Sequence, residues 1–221
     1  MRILALTLLS LLLPVGALGA QEERLFSHPW CDLEPFVRTG TDEYPLSRET
    51  AARRVLEEGR GLFSAMIYGY SFVYTPSDAA RRVQEVFALT PVAEIPWGSG
   101  RMQVGDTAVE GTRLTSRLSY SLSREESLRR ASWSSAALAL STGSGEGSLL
   151  KGYTEKGAAL RNAIKDAVRG HLRTRILNKP REVRGDAVLW DDPRTIERAG
   201  AYRTTAKVKL RIREVVPYRI F

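Results

Sequence analysis

The sequence predicts an α+β protein in which two or three amphipathic helices pack on one face of a mainly antiparallel β-sheet. Two stretches carry this prediction. Residues 202–216 alternate between apolar and basic side chains, and strand side chains point to opposite faces with a period of two. The two sides are Ala206, Val208, Leu210 and Ile212 against Lys207, Lys209, Arg211 and Arg213. Residues 154–177 instead place apolar side chains three and four positions apart, which is typical of a helix with one buried face.

Residues 1–20 have the layout of a cleavable secretory signal peptide, with a basic start, an apolar run from Ile3 to Leu13 and small residues before Gln21. The apolar run is shorter than the ~20 residues that a membrane-spanning helix needs, so removal is favoured over a membrane anchor. We expect an exported protein that is periplasmic or associated with the envelope of a bacterium.

The chain carries a formal net charge of +8 and one cysteine, Cys31. In an exported protein this charge suits anionic envelope partners such as lipid head groups or wall and surface polymers, although it also keeps a protein soluble without any partner. A single cysteine forms no disulfide within the chain, so packing has to hold the core. Peripheral contact with a membrane is compatible with this composition, and nucleic acid is not an expected partner.

Residues 21–45 are predicted to be an irregular segment whose aromatic side chains pack on the domain. His28 and Cys31 lie close together in it, but a zinc site needs three or four ligands, and the chain has two histidines and one cysteine. We therefore expect neither a metal ion nor another cofactor.

The domain itself is predicted to span residues 46–221 and to begin with a helix at Ser47. This serine suits the N-cap because its hydroxyl can accept a hydrogen bond from a first-turn amide, and Gly59 on the apolar stripe indicates close approach to a neighbour. A strand follows, with Tyr68, Tyr70, Phe72 and Tyr74 on one face. These rings are either core residues or, as the alternative, a stacking platform for sugars or bases.

A second, shorter helix is predicted after this strand. Ser77 suits its N-cap, apolar residues recur at helical spacing up to Phe87, and Thr90 followed by Pro91 ends it. Another strand is then predicted for residues 112–123, in which leucine and tyrosine alternate with polar side chains.

Residues 130–141 allow two interpretations. A β-hairpin with the preceding strand, joined across residues 124–129, is favoured. The alternative is a helix, because Ser123 and Glu126 have the spacing of a capping box and the small residues that follow are poor strand formers.

Residues 142–148, TGSGEGS, are predicted to be a flexible Gly/Ser linker. They lack the glycine spacing of the known phosphate-binding loops. The helix of residues 154–177 follows, and His171 on its apolar stripe is expected to be a hydrogen-bonded core residue. A short strand is predicted for residues 187–190, and the Asp-Asp-Pro sequence of residues 191–193 indicates a turn.

The predicted linker would join two halves, residues 46–141 and 149–221. In each half a capped, alanine-rich helix is followed later by amphipathic extended segments. Apolar positions of the first helix match those of the last, which is compatible with an old duplication and equally with any two amphipathic helices.

The chain offers few residues for catalysis, since it contains neither the HExxH zinc motif nor the GxSxG nucleophile motif. No catalytic residue is assigned, and a non-catalytic protein is favoured. The basic strand faces are the stronger candidate site. The candidate anion- or partner-binding residues are Lys207, Lys209, Arg211, Arg213, Arg113 and Arg117. The alternative is a basic edge strand that prevents aggregation.

The segments GAALRNAIKDAVRGHL and AYRTTAKVKLRIREVVPY resemble the alanine-rich helix and long strand of small bacterial envelope domains. The N-terminal domain of flagellar assembly protein T and related small outer-membrane lipoproteins are examples. The resemblance covers the C-terminal third of the chain and implies a non-enzymatic structural role at an envelope or flagellar assembly. The chain departs from the lipoproteins in lacking their lipid-attachment cysteine, and no functional residue carries over.

We therefore expect an exported, non-catalytic binding or assembly protein of the bacterial cell envelope, which contacts an anionic envelope component or a protein partner. The alternative is a small periplasmic hydrolase of cell-wall or glycan material. Such an enzyme would need two acidic side chains in one cleft and would use the aromatic face of residues 68–74 to hold sugar.

Overall fold

A computed structural model describes residues 23–38, 43–176 and 179–218. The predicted signal peptide lies outside these described residues. Within them the helices are α1 (Arg48–Ile67), α2 (Arg124–Ala131) and α3 (Glu155–Arg175), with a short 3-10 helix at Leu149–Lys151. The strands are β1 (Arg24–Ser27), β2 (Trp30–Asp32), β3 (Tyr70–Thr75), β4 (Val86–Pro91), β5 (Met102–Glu110), β6 (Arg113–Ser121), β7 (Ala139–Ser148), β8 (Glu182–Leu189), β9 (Arg194–Arg198) and β10 (Ala201–Val216).

Helix α1 packs between two antiparallel sheets. In the smaller sheet β6 is central, with β5 on one edge and β1 and β2 on the other. The larger sheet has the order β4-β3-β8-β10-β7, and β9 also pairs with β10. Helix α3 covers β7 and β10 on the face that also receives α1. The predicted α+β class with antiparallel sheets is therefore confirmed, although the helices pack against two sheets instead of one.

Strand β10 lies in the interior of the larger sheet, between β8 and β7. β7 pairs with residues 201–210 on one edge, and β9 and β8 pair on the other. Ala206, Val208 and Leu210 are buried in the main core together with residues of α3. The predicted alternation is confirmed, because burial of one face places every second side chain among the helices.

Helices α1 and α3 also form where the helical spacing of apolar residues in the sequence predicts them. Ser47 Oγ accepts a hydrogen bond from Thr50 N at 3.1 Å, so Ser47 is the N-cap. A Cβ on Gly59 would lie 2.2 Å from Leu118 Cδ1, which confirms the close approach predicted there. Helix α1 extends to Ile67, so Tyr68 is its C-cap and not the first residue of the following strand.

The predicted linker at residues 142–148 is wrong, because this segment forms most of β7. Its glycines at 143, 145 and 147 face α3. A Cβ on Gly145 would lie 2.2 Å from Ala163 N and 2.3 Å from Ala159 O. The glycines therefore let the helix backbone lie directly on the strand backbone. A sequence of small residues here reflects close packing and not flexibility.

The helix predicted from Ser77 is also wrong, and the chain forms a tight loop and strand β4 instead. Asp78 Oδ1 accepts hydrogen bonds from the backbone N–H groups of Ala80 and Arg81, and the backbones of Asp78 and Val83 bond to each other in both directions at 2.9 Å. Arg82 has a φ of 55°, which a continuous right-handed helix does not accommodate. Pairing with β3 then determines the conformation of β4.

The hairpin favoured for residues 130–141 is wrong, since α2 occupies the region between β6 and β7. The capping box is formed, with Ser123 Oγ accepting from Glu126 N and the Glu126 carboxylate accepting from Ser123 N. The same carboxylate accepts hydrogen bonds from the hydroxyls of Tyr68 and Tyr120 at 2.7 and 3.1 Å. These tertiary contacts add to the cap and stabilise the helix that the capping box indicates. This helix ends at Ala131, however, and β7 begins at Ala139, so residues 130–141 are not a helix either.

The N-terminal segment is more regular than predicted. Strands β1 and β2 both pair with β6, and Trp30 and Cys31 are buried. Strand β8 likewise extends well beyond the four residues predicted for it. The predicted halves 46–141 and 149–221 contribute strands to one common sheet. None of the helices among the described residues is long and apolar enough to cross a membrane.

Candidate functional site

The basic face of β10 is occupied by partners from its own chain. Lys207 Nζ lies 3.0 Å from an Asp191 oxygen, and Arg213 Nη2 lies 3.1 Å from an Asp186 oxygen. Ion pairs with carboxylates on both sides reduce the positive potential that this face presents to a ligand.

The middle of the same face is covered by the segment after α2. Lys209 is 8% exposed. Its ammonium donates to the carbonyl of Ser135 and lies 5.0 Å from the centroid of the Trp190 ring. The Arg211 guanidinium lies 4.5 Å from the centroid of Trp133, which is itself buried. Lys209 therefore acts as a packing residue on this face.

The two other basic candidates lie on β6, in the smaller sheet, and so do not join the β10 residues. The Arg117 guanidinium lies 5.0 Å from the centroid of Phe26. Arg113 makes a two-point contact with Asp32 at 2.8 and 3.2 Å and reaches Glu197 at 3.2 Å. Arg113 thus contacts two carboxylates, those of Asp32 and Glu197.

The groove, as we call it, is a cavity of about 620 Å³ between α1, α3, the segment at residues 28–30 and the segment at residues 192–195. Six of its lining residues, used below, are Trp30, Glu58, Leu62, Lys156, Leu160 and Asp192. They come from four separate parts of the chain. Its volume lies within the range of small-molecule sites, ~300–1,000 Å³.

One wall of the groove is held by a buried ion pair. Lys156 is 5% exposed, and its Nζ donates to the Trp30 carbonyl at 2.7 Å and to Glu58 Oε2 at 2.6 Å. The Tyr153 hydroxyl donates to the same glutamate oxygen at 2.6 Å. Burial lowers the pKa of Lys156, and the Glu58 carboxylate acts in the opposite direction. Burial next to Glu58 raises the pKa of Tyr153, so its hydroxyl stays a donor.

The Trp30 ring is the meeting point of two cations. The Lys156 ammonium and the Arg113 guanidinium lie 3.9 and 3.7 Å from its centroid. Such contacts contribute ~0.5–2 kcal/mol each, more when they are desolvated. The ring is therefore fixed in place, and its π-surface already serves the protein's own charges.

Beyond Trp30, two carboxylates share one arginine. Burial raises the pKa of Glu197 to about 7, and the nearby Asp32 carboxylate adds to this increase, while Arg113 opposes it. Glu197 therefore gains a proton near neutral pH. A protonated Glu197 can donate a hydrogen bond to Asp32, which remains paired with Arg113.

Replacing Glu197 with glutamine is expected to remove a pH dependence of stability. The folded protein holds the Glu197 proton up to about pH 7, while the unfolded chain loses it near 4.5. The folded state thus binds more protons between these values, so the free energy of unfolding falls as pH rises. Between pH 5 and 8 the wild type should lose roughly 1–2 kcal/mol more than Glu197→Gln in urea unfolding, a range that discounts the shift for solvent screening. Glu146→Gln, an exposed pair with Arg203, is the control and should keep the wild-type slope.

The described residues contain no group of three or more His, Cys, Asp and Glu side chains that could hold a metal ion.

The aromatic face predicted from residues 68–74 is not a sugar platform, because Phe72 and Tyr74 are 1% and 8% exposed. Tyr70 is half-buried and lines the groove. His171 is partly exposed on α3 instead of being enclosed in the core.

The sequence contains little that would reveal the groove. Trp30 was expected only to pack on the domain, and residues 191–193 were expected only to form a turn. In the structure Trp30, Asp192 and Pro193 line the groove. Glu58 and Lys156 gave no signal, since a single charge on a helix is usually solvated. Their burial depends on how α1 and α3 meet the N-terminal segment.

A protein-family model matches residues 15–218 of the chain. An uncharacterized protein of Treponema pallidum (strain Nichols) is 26% identical over 192 residues, which cover 87% of this chain and 81% of that protein. No solved structure matches the chain.

Proposed function

The chain belongs to the family whose model matches residues 15–218, and we propose that it is an exported, non-catalytic binding or assembly protein of the bacterial cell envelope. The signal-like N-terminus supports export. The resemblance of the C-terminal helix and strand to small envelope domains supports the same location. The groove is the proposed contact site.

The observation that carries this proposal is the pre-formed wall of the groove. Glu58, Tyr153 and Lys156 bond to one another and to the backbone of residue 30. A site whose side chains are already held in place loses little entropy on binding, which is the general advantage of pre-organisation. The groove thus combines a suitable volume with rigid walls.

The geometry of the acidic side chains favours binding over hydrolysis. Glu58 accepts hydrogen bonds from Lys156 and Tyr153, and Asp192 accepts from the Ser27 hydroxyl at 2.6 Å and from the His28 amide at 3.0 Å. Glycoside hydrolysis needs one of its two carboxyl groups to carry a proton that it can donate. Glu58 and Asp192, two of the three acidic residues that line the groove, instead act as acceptors that hold the walls together.

A phenylalanine at Gly61 is expected to abolish capture of the native partner without unfolding the protein. Gly61 lines the groove on α1, and a Cβ there meets nothing within 4 Å. The ring would therefore project into the groove. The full-length protein should be cross-linked in its own bacterium and recovered from the envelope fraction, and material that accompanies the wild type should be missing from Gly61→Phe.

Gly170→Phe is the matched control, because Gly170 is an exposed helix glycine with equally open surroundings outside the groove. Both variants should fold, since glycine in an exposed helix costs ~1 kcal/mol relative to alanine. Equal recovery of the same material with wild type and both variants would exclude the groove as the contact site. Retention of the protein in the cytoplasm would contradict the proposed location.

A further inference from the structure

We propose that the groove binds an amphipathic anion, a molecule with an apolar chain and one phosphate or carboxylate head group. This inference rests on the proposed function and specifies the ligand of the same site. It follows from the combination of buried apolar side chains and exposed arginines that line the groove.

Part of the groove lining is apolar and little exposed. Leu62 is 6% exposed, and Leu160 and Tyr70 are half-buried beside it. Pro29 and Pro193 contribute further apolar surface. An apolar chain that displaces water from this surface gains the hydrophobic free energy of the area that it covers.

A sugar is a poorer match to the same surface. Sugars stack on exposed aromatic faces, but the tryptophan and tyrosine rings that line the groove, those of Trp30, Tyr70 and Tyr153, are buried or half-buried. The π-surface of Trp30 is already in contact with Lys156 and Arg113, and Trp30 is 9% exposed. A flexible apolar chain needs no stacking face and can follow the aliphatic side chains.

The exposed part of the groove lining carries the charge that an anionic head group requires. Arg161 on α3 and Arg194 on β9 are exposed and line the groove. Among the described residues neither forms an ion pair with a carboxylate. Asp192 is bonded to Ser27 and His28, and Glu58 to Lys156, so Glu57 is the remaining acid at the groove. The positive end of the α3 dipole, at Thr154, lies on the same side.

Two glycines keep the groove open. Gly61 on α1 and Gly157 on α3 both line it. A Cβ at Gly61 would meet nothing within 4 Å, and one at Gly157 would meet only the Arg161 side chain, at 3.4 Å. Packing within the described chain therefore gives no reason for glycine at either position, although glycine disfavours a helix. Glycine at these two positions leaves the space of the groove open to a ligand.

Isothermal titration of the purified protein with decyl phosphate below its micelle concentration tests the inference. Inorganic phosphate and decyl maltoside are the two comparison probes. Inorganic phosphate has the head-group chemistry without the apolar chain, and decyl maltoside has an apolar chain without the charge. Decyl phosphate is expected to bind at least about tenfold more tightly than either, because each probe lacks one of the two contacts.

Arg161→Gln and Arg194→Gln should each weaken decyl phosphate about tenfold, which corresponds to the loss of one charge-assisted hydrogen bond. Gly61→Phe should abolish binding. Arg175→Gln, an exposed arginine on α3 outside the groove, should change nothing. Circular dichroism of each variant has to match the wild type.

Equal affinity for decyl maltoside would overturn the anionic half of the inference, and equal affinity for inorganic phosphate would overturn the apolar half. Absence of binding by all three probes would reject the ligand class. That failure is distinct from failure of the proposed function, because a difference between Gly61→Phe and Gly170→Phe in envelope recovery would still stand.

Discussion

Valine in place of Gly145 is expected to prevent α3 from packing on β7 and to yield little soluble protein. A Cβ at this position would lie 2.2–2.6 Å from backbone atoms of α3, namely those of Ala159, Asn162 and Ala163. Backbone atoms of a long helix cannot rotate away as a side-chain end does. Overpacked cores usually lose ~1–3 kcal/mol, and here the whole helix has to move, so we expect a loss above ~4 kcal/mol.

The measurement is urea unfolding followed by circular dichroism, beginning with the milder Gly145→Ala. Gly170→Ala is the matched control on α3 itself, and it should raise stability by up to ~1 kcal/mol. A Gly145→Ala protein as stable as the wild type would show that β7 and α3 are not in the close contact described above.

Glutamine in place of Glu58 is expected to produce the second large effect. It would leave the ammonium of Lys156, whose side chain is 4% exposed, buried without a carboxylate. Removal of one partner of a buried pair costs ~3–5 kcal/mol. Because burial then lowers the pKa of Lys156 further, the folded state binds fewer protons than the unfolded chain below pH 10.5. The free energy of unfolding of Glu58→Gln should therefore rise with pH in the alkaline range.

The double variant Glu58→Gln/Lys156→Met separates this interpretation from a simple loss of packing. A methionine carries no charge that needs a partner, so the double variant should be more stable than Glu58→Gln. Strictly additive losses across the double-mutant cycle would contradict a direct coupling between the two residues.

Periodic segments were predictable from the sequence because their signal is local. The alternation of residues 202–216 and the three- and four-residue spacing after residue 154 each report one buried face. β10, α1, α3 and β6 therefore form as predicted. The α+β class follows from these elements together.

Segments with weak or ambiguous local preference were decided by their neighbours. The Gly/Ser composition of β7 is that of a linker. Its glycines are required because backbone atoms of α3 lie 2–3 Å from the positions that their Cβ atoms would occupy. The segment after Ser77 has helical spacing, but pairing with β3 and the loop closed by Asp78 make it a strand. α2 needed the tertiary contacts of Glu126 in addition to its cap.

The candidate site also divides into features set by the local sequence and features set by tertiary contacts. The sequence by itself determined that β10 has one apolar and one basic face, because period-two alternation is a property of neighbouring residues. The tertiary structure decided that Asp186, Asp191 and the segment after α2 occupy the basic face. It also decided that Trp30, Glu58 and Lys156 meet at one groove. These three residues belong to distant parts of the chain, and their proximity depends on how the helices and sheets pack, which no local pattern encodes.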